Sequence, residues 1–169
     1  MEYKPTEKKE YLNVIKNTNL ISVDLIIFDE HKNVLVGKRK NNPAKNKYFV
    51  PGSRVYKSET IKMAIPRVCK FELGFELNNP LFRGVYEHIY PTNFDNDNFG
   101  THYVNFAYEF HVNNETKSKI NNSVFSQQHS VIKWMNIKDL IKDKDVAFFC
   151  KNHFLEKPTN CVFDNIIQK

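Results

Sequence analysis

The chain has 169 residues, of which 41% are hydrophobic, and its formal net charge is +6 at pH 7. This length and composition predict one globular domain over residues 1–169 with a sizeable core. No run of residues is long and apolar enough to span a bilayer, which argues against a membrane partner. The basic charge favours anionic partners. Because the lysines are scattered and lack the aromatic interleaving of an RNA-binding sheet, we expect nucleotides rather than nucleic acid.

The amino terminus and the cysteines favour a cytoplasmic protein. Residues 1–19 are charged and lack the short apolar core of a secretion signal. Cys69, Cys150 and Cys161 are odd in number and lack the spacing of a metal site. We therefore expect reduced thiols, as are typical of the cytoplasm.

The first elements predicted along the chain are a helix and two strands. The helix is short and amphipathic around Tyr11, with Thr6 as its cap. Leu20–Phe28 is predicted to be a buried strand, interrupted by the single acid Asp24. After a turn, a second strand is predicted over Asn33–Arg39.

A glycine turn and a helix follow within "FVPGSRVYKSETIKMAIPRVCKFELGF", residues 49–75. The helix is predicted to begin at Glu59, with Ser58 as its cap. Its apolar stripe at helical spacing consists of Ile61, Ala64, Ile65 and Val68. Pro66 lies more than one turn inside this helix, so we expect a kink there that costs ~3 kcal/mol or more.

The second half of the chain predicts further strands and helices in mixed order. In chain order these are the strands Leu81–Tyr90 and His102–Val112, a loop over 113–126, the strand Val131–Met135, a short helix after Asn136, and a helix over Asp145–Leu155. The tail, 158–169, is predicted to pack loosely. This order of elements favours an α+β fold, layered α/β/α, with a mixed β-sheet between helices.

The glycine turn and the helix resemble the Nudix hydrolases, and more closely the branch that hydrolyses GDP-mannose at the sugar. The Nudix pattern is a glycine, a glutamate six residues later, and then Arg-Glu-x-x-Glu-Glu-x-Gly. The positions of this chain that correspond to named positions of the pattern are Ser53 (at the glycine), Glu59, Arg67, Glu72 and Gly74. The resemblance covers roughly residues 11–155, includes "GTHYV" and "QQH" far from the helix, and implies a Nudix fold.

Two apolar residues replace expected acids in the pattern. Val68 and Phe71 stand where two metal-binding glutamates would be expected, and the GDP-mannose branch is also apolar there. With those acids absent, the residues leave about one site for a hard cation. The resemblance assigns one Mg²⁺ or Mn²⁺ per subunit to the Gly52 carbonyl, Glu72 and the Gln128 side chain.

The resemblance also implies how the substrate is bound. Arg39 and Arg54 would grip the diphosphate, Tyr103 would contact the leaving diphosphate, and Tyr11 would lie near the guanine. For both tyrosines, core packing is the alternative. Asp24 would have a catalytic or sugar-orienting role, with a structural salt bridge as the alternative, because an unpaired acid in a buried strand is costly.

These residues are better suited to a diphosphate that acts as the leaving group than to one that is attacked at phosphorus. GDP held by a cation and by arginines, with Arg54 in the catalytic set, needs no carboxylic acid to protonate it. The reaction then requires a base for water at the anomeric carbon, and we assign His129 to this role. Arg67 is expected to orient a carboxylate of the motif, and His88 and His102 are expected to be packed histidines.

Three functions stay open. The first is Mg²⁺-dependent hydrolysis of GDP-mannose or a related GDP-sugar at the anomeric carbon, giving GDP and free sugar with inversion. The second is a Nudix pyrophosphatase that cleaves the P–O–P link of a nucleotide sugar. The third is a catalytically weak nucleotide-sugar-binding module, motivated by Pro66 and by Ser53, which would cost of order 1 kcal/mol if its position needs a positive φ. The resemblance also implies a homodimer.

Overall fold

The computed structural model describes residues 7–95, 99–122, 129–155 and 161–164. The helices are α1 (Lys8–Asn17), α2 (Ile61–Leu73), α3 (Asn114–Asn122), α4 (Ile137–Lys142) and α5 (Phe148–Asn152). The strands are β1 (Leu20–Phe28), β2 (Asn33–Arg39), β3 (Tyr48–Phe49), β4 (Gly52–Arg54), β5 (Leu81–Tyr90), β6 (Thr101–His111), β7 (His129–Asn136) and β8 (Cys161–Asp164). Within these ranges, no helix has the length and apolarity needed to cross a membrane.

The strands form one mixed sheet, as the order of the elements predicts. Its main path runs β3-β2-β1-β6-β5-β8, while β4 pairs with β1 and β7 pairs with β2. Strand β1 runs parallel to β6, from Leu20 opposite Tyr103 to Phe28 opposite His111. The other pairings are antiparallel. Strand β1 therefore lies inside the sheet.

Helices cover both faces of β1, so the predicted α+β layering is confirmed. Val23, Leu25 and Ile27 pack in one apolar cluster with the buried side of α2. Ile26 and Phe28 pack in a second cluster with residues from α4 and α5. Successive side chains of a strand point to opposite faces, so Asp24 shares the face of Ile26 and Phe28. The alternation of side chains along β1 therefore places Asp24 on the face that is covered by α5.

Helix α2 begins two residues later than predicted. Its cap is Thr60, whose side chain accepts a hydrogen bond from the backbone N–H of Met63 at 3.2 Å. Ser58 is not the cap and has a φ of 64°. Pro66 lies inside the helix, which nevertheless runs without interruption from Ile61 to Leu73. The helix therefore continues through Pro66, and the kink expected there stays a prediction.

The predicted loop over 113–126 is wrong in its first part, because α3 covers Asn114–Asn122. The Asn113 side chain caps this helix by accepting a hydrogen bond from the backbone N–H of Thr116 at 2.9 Å. Ile120 is fully buried, and Lys117 Nζ lies 2.6 Å from Asp29 Oδ2. Ile120, the Lys117–Asp29 ion pair and a hydrogen bond from Trp134 Nε1 to Asn121 Oδ1 at 2.9 Å connect this mostly polar helix to the rest of the domain.

The last predicted helix is too long, because α5 covers only Phe148–Asn152. The preceding residues pair with β3 instead: Tyr48 N–H donates to the Asp145 carbonyl at 2.8 Å, and Ala147 N–H donates to the Tyr48 carbonyl at 3.0 Å. The short strands β3, β4 and β8 were not predicted. Strand β8 shows that part of the tail pairs with β5.

Candidate active site

A cavity of about 320 Å³ lies where β1, β4 and the amino-terminal helix meet. Its lining residues are Tyr11, Ser22, Asp24, Arg39, Asn41, Asn42, Pro43, Phe49, Gly52, Ser53, Arg54, Tyr56, Phe71, His88, Tyr90, Phe94 and Tyr103. Six of the residues predicted for the site are among them: Tyr11, Asp24, Arg39, Gly52, Arg54 and Tyr103. Glu72 and His129 do not line the cavity, and Gln128 lies outside the described residues.

Gly52 lies against the carboxylate of Asp24. The two residues pair across β4 and β1. A Cβ atom at Gly52 would lie 2.4 Å from Asp24 Oδ1 and 2.8 Å from the Val23 carbonyl oxygen, distances that no real Cβ shows. Only glycine therefore fits this position. The neighbouring Ser53 does not have a positive φ, so the strain expected for serine there does not arise.

Two guanidinium groups reach the cavity. Arg39 Nε donates a hydrogen bond to the Pro43 carbonyl at 2.8 Å. The guanidinium carbon of Arg54 lies 4.0 Å from the centre of the Tyr11 ring. Phe94 stacks on Tyr11 with 5.4 Å between ring centres, and it was missed because its loop is mostly polar. Two arginines at one cavity provide donors that match phosphate oxygens.

Arg67 orients a carboxylate of the motif, as predicted. Its guanidinium binds Glu59 in bidentate fashion, at 2.6 Å from Oε1 and 2.8 Å from Oε2. The same guanidinium donates to the Arg54 carbonyl at 2.8 Å. The hydrogen bonds from Arg67 lower the pKa of Glu59. Arg67 and Glu59 together fasten the start of α2 to the strand that carries Arg54.

Tyrosine hydroxyls add neutral donors to the cavity. Burial raises the pKa of Tyr103, although one part of its ring borders the cavity. Burial also raises the pKa of Tyr90, whose ring centre lies 6.3 Å from that of Tyr103. Both hydroxyls therefore keep their protons at neutral pH and are able to donate hydrogen bonds to phosphate or sugar oxygens. Tyr90 was not predicted as a site residue.

A buried polar cluster lies beside the cavity, and two of its members, Asp24 and His88, line it. His153 Nε2 lies 3.0 Å from Asp24 Oδ2. Ligand atoms of Asp24, His88 and His153 all lie within 4.8 Å of one another. His88 packs as predicted, with its ring stacked on Phe149 at 4.9 Å, but it also lines the cavity. Burial lowers the pKa of His88 to about 4; Asp24 opposes this shift and His153 adds to it.

Glu72 and His129 form a second buried pair. Glu72 lies in the last turn of α2 and is fully buried, with its Oε2 3.3 Å from His129 Nδ1. His129 begins β7 and pairs with Arg39 of β2. An acid is disfavoured by the helix dipole at a carboxyl-terminal turn, so the helix itself gives no reason for Glu72.

The two predicted metal ligands that the structure describes, Gly52 and Glu72, offer oxygen atoms of the kind that a hard divalent cation prefers. Mg²⁺ prefers oxygen ligands, and Glu72 provides a carboxylate while Gly52 provides a carbonyl. The close approach of Gly52 to Asp24 leaves no room for a side chain at position 52. The third predicted ligand, Gln128, is among the residues that the structure does not describe.

Comparison with known proteins agrees with the motif. A family model described as "NUDIX domain" matches residues 18–156. The low-salt glycan biosynthesis protein Agl8 of Haloferax volcanii is 35% identical over 133 residues, which cover 77% of this chain and 81% of that protein.

Solved structures show the same fold. The MutT protein of Methanosarcina mazei Go1 is similar with a TM-score of 0.63 and 17% identity, over 80% of this chain and 90% of that one. A MutT Nudix hydrolase of Burkholderia pseudomallei gives a TM-score of 0.62 and 21% identity, over 82% and 97% of the two chains. At these identities the likeness shows the fold alone.

Proposed function

Because this chain belongs to the Nudix family of hydrolases, we propose that it hydrolyses GDP-mannose or a related GDP-sugar at the anomeric carbon. The products would be GDP and a free sugar of inverted configuration. The proposal rests mainly on the apolar residues Val68 and Phe71, which α2 has at the two positions where metal-binding glutamates are expected.

Neither position offers a carboxylate. Val68 is fully buried in the core beneath α2, and Phe71 lines the cavity with half of its surface exposed. Attack on phosphorus in ordinary Nudix enzymes relies on several cations clustered at such acids. Glu72 is the only acid that α2 itself contributes. This supports a single cation and argues against cleavage between phosphorus atoms.

The cavity instead suits a diphosphate that departs. Arg39 and Arg54 would bind its oxygens, and Tyr103 would donate a hydrogen bond to it. A divalent cation held by Gly52, Glu72 and Gln128 would neutralise charge on the same diphosphate. With its charge neutralised in this way, GDP is a weak base and leaves without a proton donor.

The remaining chemistry takes place at the sugar. A water oxygen forms a bond to the anomeric carbon from the face opposite GDP. The bond between that carbon and the phosphate oxygen breaks, and its electron pair goes to GDP. A base removes one proton from the water. We assign His129 as this base, and Asp24, which lines the cavity, is the alternative.

The similar protein of Haloferax volcanii supports a sugar-linked substrate, because its name places it in glycan biosynthesis. We propose the same class of substrate for this chain, together with a cytoplasmic location and a homodimer. One reason for a catalytically weak binding module loses its support, since Ser53 has no positive φ. The kink at Pro66 stays a prediction, because the bounds of α2 do not test it.

The decisive experiment is incubation with GDP-mannose and Mg²⁺ in isotope-labelled water, with products identified by NMR and mass spectrometry. We expect GDP, free mannose with the label on the sugar, and no turnover in chelator. Mannose 1-phosphate and GMP, or label on phosphate, would refute attack at carbon. Tight binding without turnover would indicate a binding module.

The same assay identifies the base. His129→Gln should lower kcat by about 10²–10⁴, the usual range for a lost general base, with KM nearly unchanged. Asp24→Asn is the comparison variant. An unchanged rate in His129→Gln, with the sugar still labelled, would transfer the role of base to Asp24.

A further inference from the structure

His153 was not singled out by any motif, yet it is the described residue that contacts the Asp24 carboxylate through a hydrogen bond between side chains. It directly follows α5, and its side chain has no exposed surface. Its Nε2 atom lies 3.0 Å from Asp24 Oδ2. An ionised carboxylate only accepts hydrogen bonds, so the tautomer of His153 that carries its hydrogen on Nε2 would be the donor to Asp24.

His153 is held in place from its backbone. Arg83 of β5 donates to the His153 carbonyl from Nε at 3.1 Å and from Nη2 at 2.7 Å. The third nitrogen of the same guanidinium binds Glu109 Oε2 at 2.6 Å. Both charged side chains are mostly buried, with 12% and 20% of their surfaces exposed. The sheet therefore fixes where the backbone of His153 lies.

The imidazole ring is held as well. The Tyr86 ring meets it edge to face at 4.5 Å between centres, and the Phe49 ring does so at 6.4 Å. Tyr86 is itself almost fully buried. With both its carbonyl and its ring fixed, His153 has little freedom to follow Asp24. The carboxylate must instead align with the imidazole.

Asp24 is constrained on its other side by β4. Its Oδ1 atom lies so close to Gly52 that a Cβ there would come within 2.4 Å. One carboxylate oxygen thus packs against Gly52 and the other contacts His153, while the group borders the cavity. From this geometry we propose that His153 is a positioning residue, which holds the Asp24 carboxylate in the orientation that the sugar encounters.

This inference rests on the proposed function, because it concerns the same cavity and reaction. Asp24 touches the substrate in either of its proposed roles, and His153 acts only through Asp24. The alternative use of the cluster is as a site for a transition metal, since one carboxylate and two imidazoles suit such an ion. The 3.0 Å contact favours the hydrogen bond, which already occupies Asp24 Oδ2 and His153 Nε2.

Two variants at one position separate the hydrogen bond from packing. His153→Leu keeps a similar volume and removes the donor, whereas His153→Gln keeps an amide donor at a similar reach. We expect His153→Leu to lower kcat by about 10–100-fold, as expected for a displaced reacting group, with a smaller change in KM. His153→Gln should recover most of this loss. Equal losses in the two variants, at equal stability to urea, would overturn the proposal.

A double-mutant cycle tests whether His153 acts through Asp24. In the Asp24→Asn background, His153→Leu should change the rate by no more than about twofold, because the carboxylate it positions is already gone. Full additivity of the two losses would overturn the proposal. The same assay identifies the products of the wild type. An unexpected product would refute the proposed function, but the double-mutant cycle could still be measured with that product. If the wild type has no turnover, the affinity for GDP-mannose replaces the rate.

A measurement independent of turnover completes the test. Nitrogen NMR of the imidazoles should show a proton on His153 Nε2 in the wild type, and a changed Nε2 signal in Asp24→Asn. Titration of the wild type with Zn²⁺ should leave the imidazole signals of His88 and His153 unchanged. Displacement of the His88 and His153 signals together by stoichiometric Zn²⁺ would identify a metal site and overturn the hydrogen-bond role.

Discussion

Lowering the pH should destabilise this protein through His88. Burial lowers the pKa of His88 from its ordinary value of 6.5 to about 4. Between these two values the unfolded chain binds a proton that the folded chain does not bind, so the free energy of unfolding falls as the pH falls. At about 1.4 kcal/mol for each pH unit, the loss is about 2 kcal/mol by pH 5 and approaches about 3 kcal/mol near pH 4.

The assay is urea denaturation at several pH values between about 7.5 and 5, followed through the single tryptophan, Trp134. His88→Phe removes the titrating group and suits the aromatic neighbours Phe49 and Phe149. The difference in free energy of unfolding between wild type and variant should shift by about 2 kcal/mol over this range. His31→Gln is the control for the loss of an exposed imidazole.

The charged and titratable neighbours of His88 determine how the result is interpreted. Asp24 raises the pKa of His88 and His153 lowers it, while Tyr90 lies at 6.4 Å between ring centres. These neighbours are present in both proteins, so the comparison isolates the imidazole of His88. A difference that stays constant from pH 7.5 to 5 would refute the reasoning that burial holds this group uncharged.

Two further predictions concern the metal and the glycine. Glu72→Gln should raise the Mg²⁺ concentration needed for half-maximal turnover by about tenfold or more. Glu59→Gln should leave that concentration nearly unchanged, because Glu59 pairs with Arg67. Equal effects of the two changes would contradict the assignment of Glu72 as a metal ligand. Gly52→Ala should lower the free energy of unfolding by about 1–3 kcal/mol and abolish turnover, because the added Cβ would clash with Asp24 and with the backbone. Urea denaturation measures the change in stability, with Ser53→Ala as the control. An unaltered stability of Gly52→Ala would contradict the prediction.

Much of the fold was predictable because its signals are local. The apolar run of β1 and the stripe of α2 both follow the periods of their elements, and both were found within two residues of their ends. The elements that were missed depend on tertiary contacts. Strand β4 pairs with the distant strand β1, and α3 packs on the domain through its buried side chain, Ile120. Neither contact has a sequence signal.

In the candidate site, too, some residues were predictable from the sequence and others depend on tertiary contacts. The resemblance identified Arg39, Gly52 and Arg54, which share the cavity because β4, with Gly52 and Arg54, pairs with β1, and Arg39 ends the neighbouring strand β2. It gave no reason to name His153, which lies 129 residues from Asp24 in the chain. An isolated histidine after a helix carries no pattern of its own, and only the packing of α5 on the sheet reveals its partner.

The parity of β1 explains why the chain keeps an acid in a buried strand. Even-numbered residues of this strand face α5, and odd-numbered residues such as Val23 and Leu25 face α2. An acid on the α2 face would lie in a wholly apolar cluster and would have to be neutralised or expelled. One position along, Asp24 meets His153 and the cavity, where a carboxylate is both satisfied and accessible. The cost of burying Asp24 is therefore offset by its contact with His153, at a position where the carboxylate still borders the cavity.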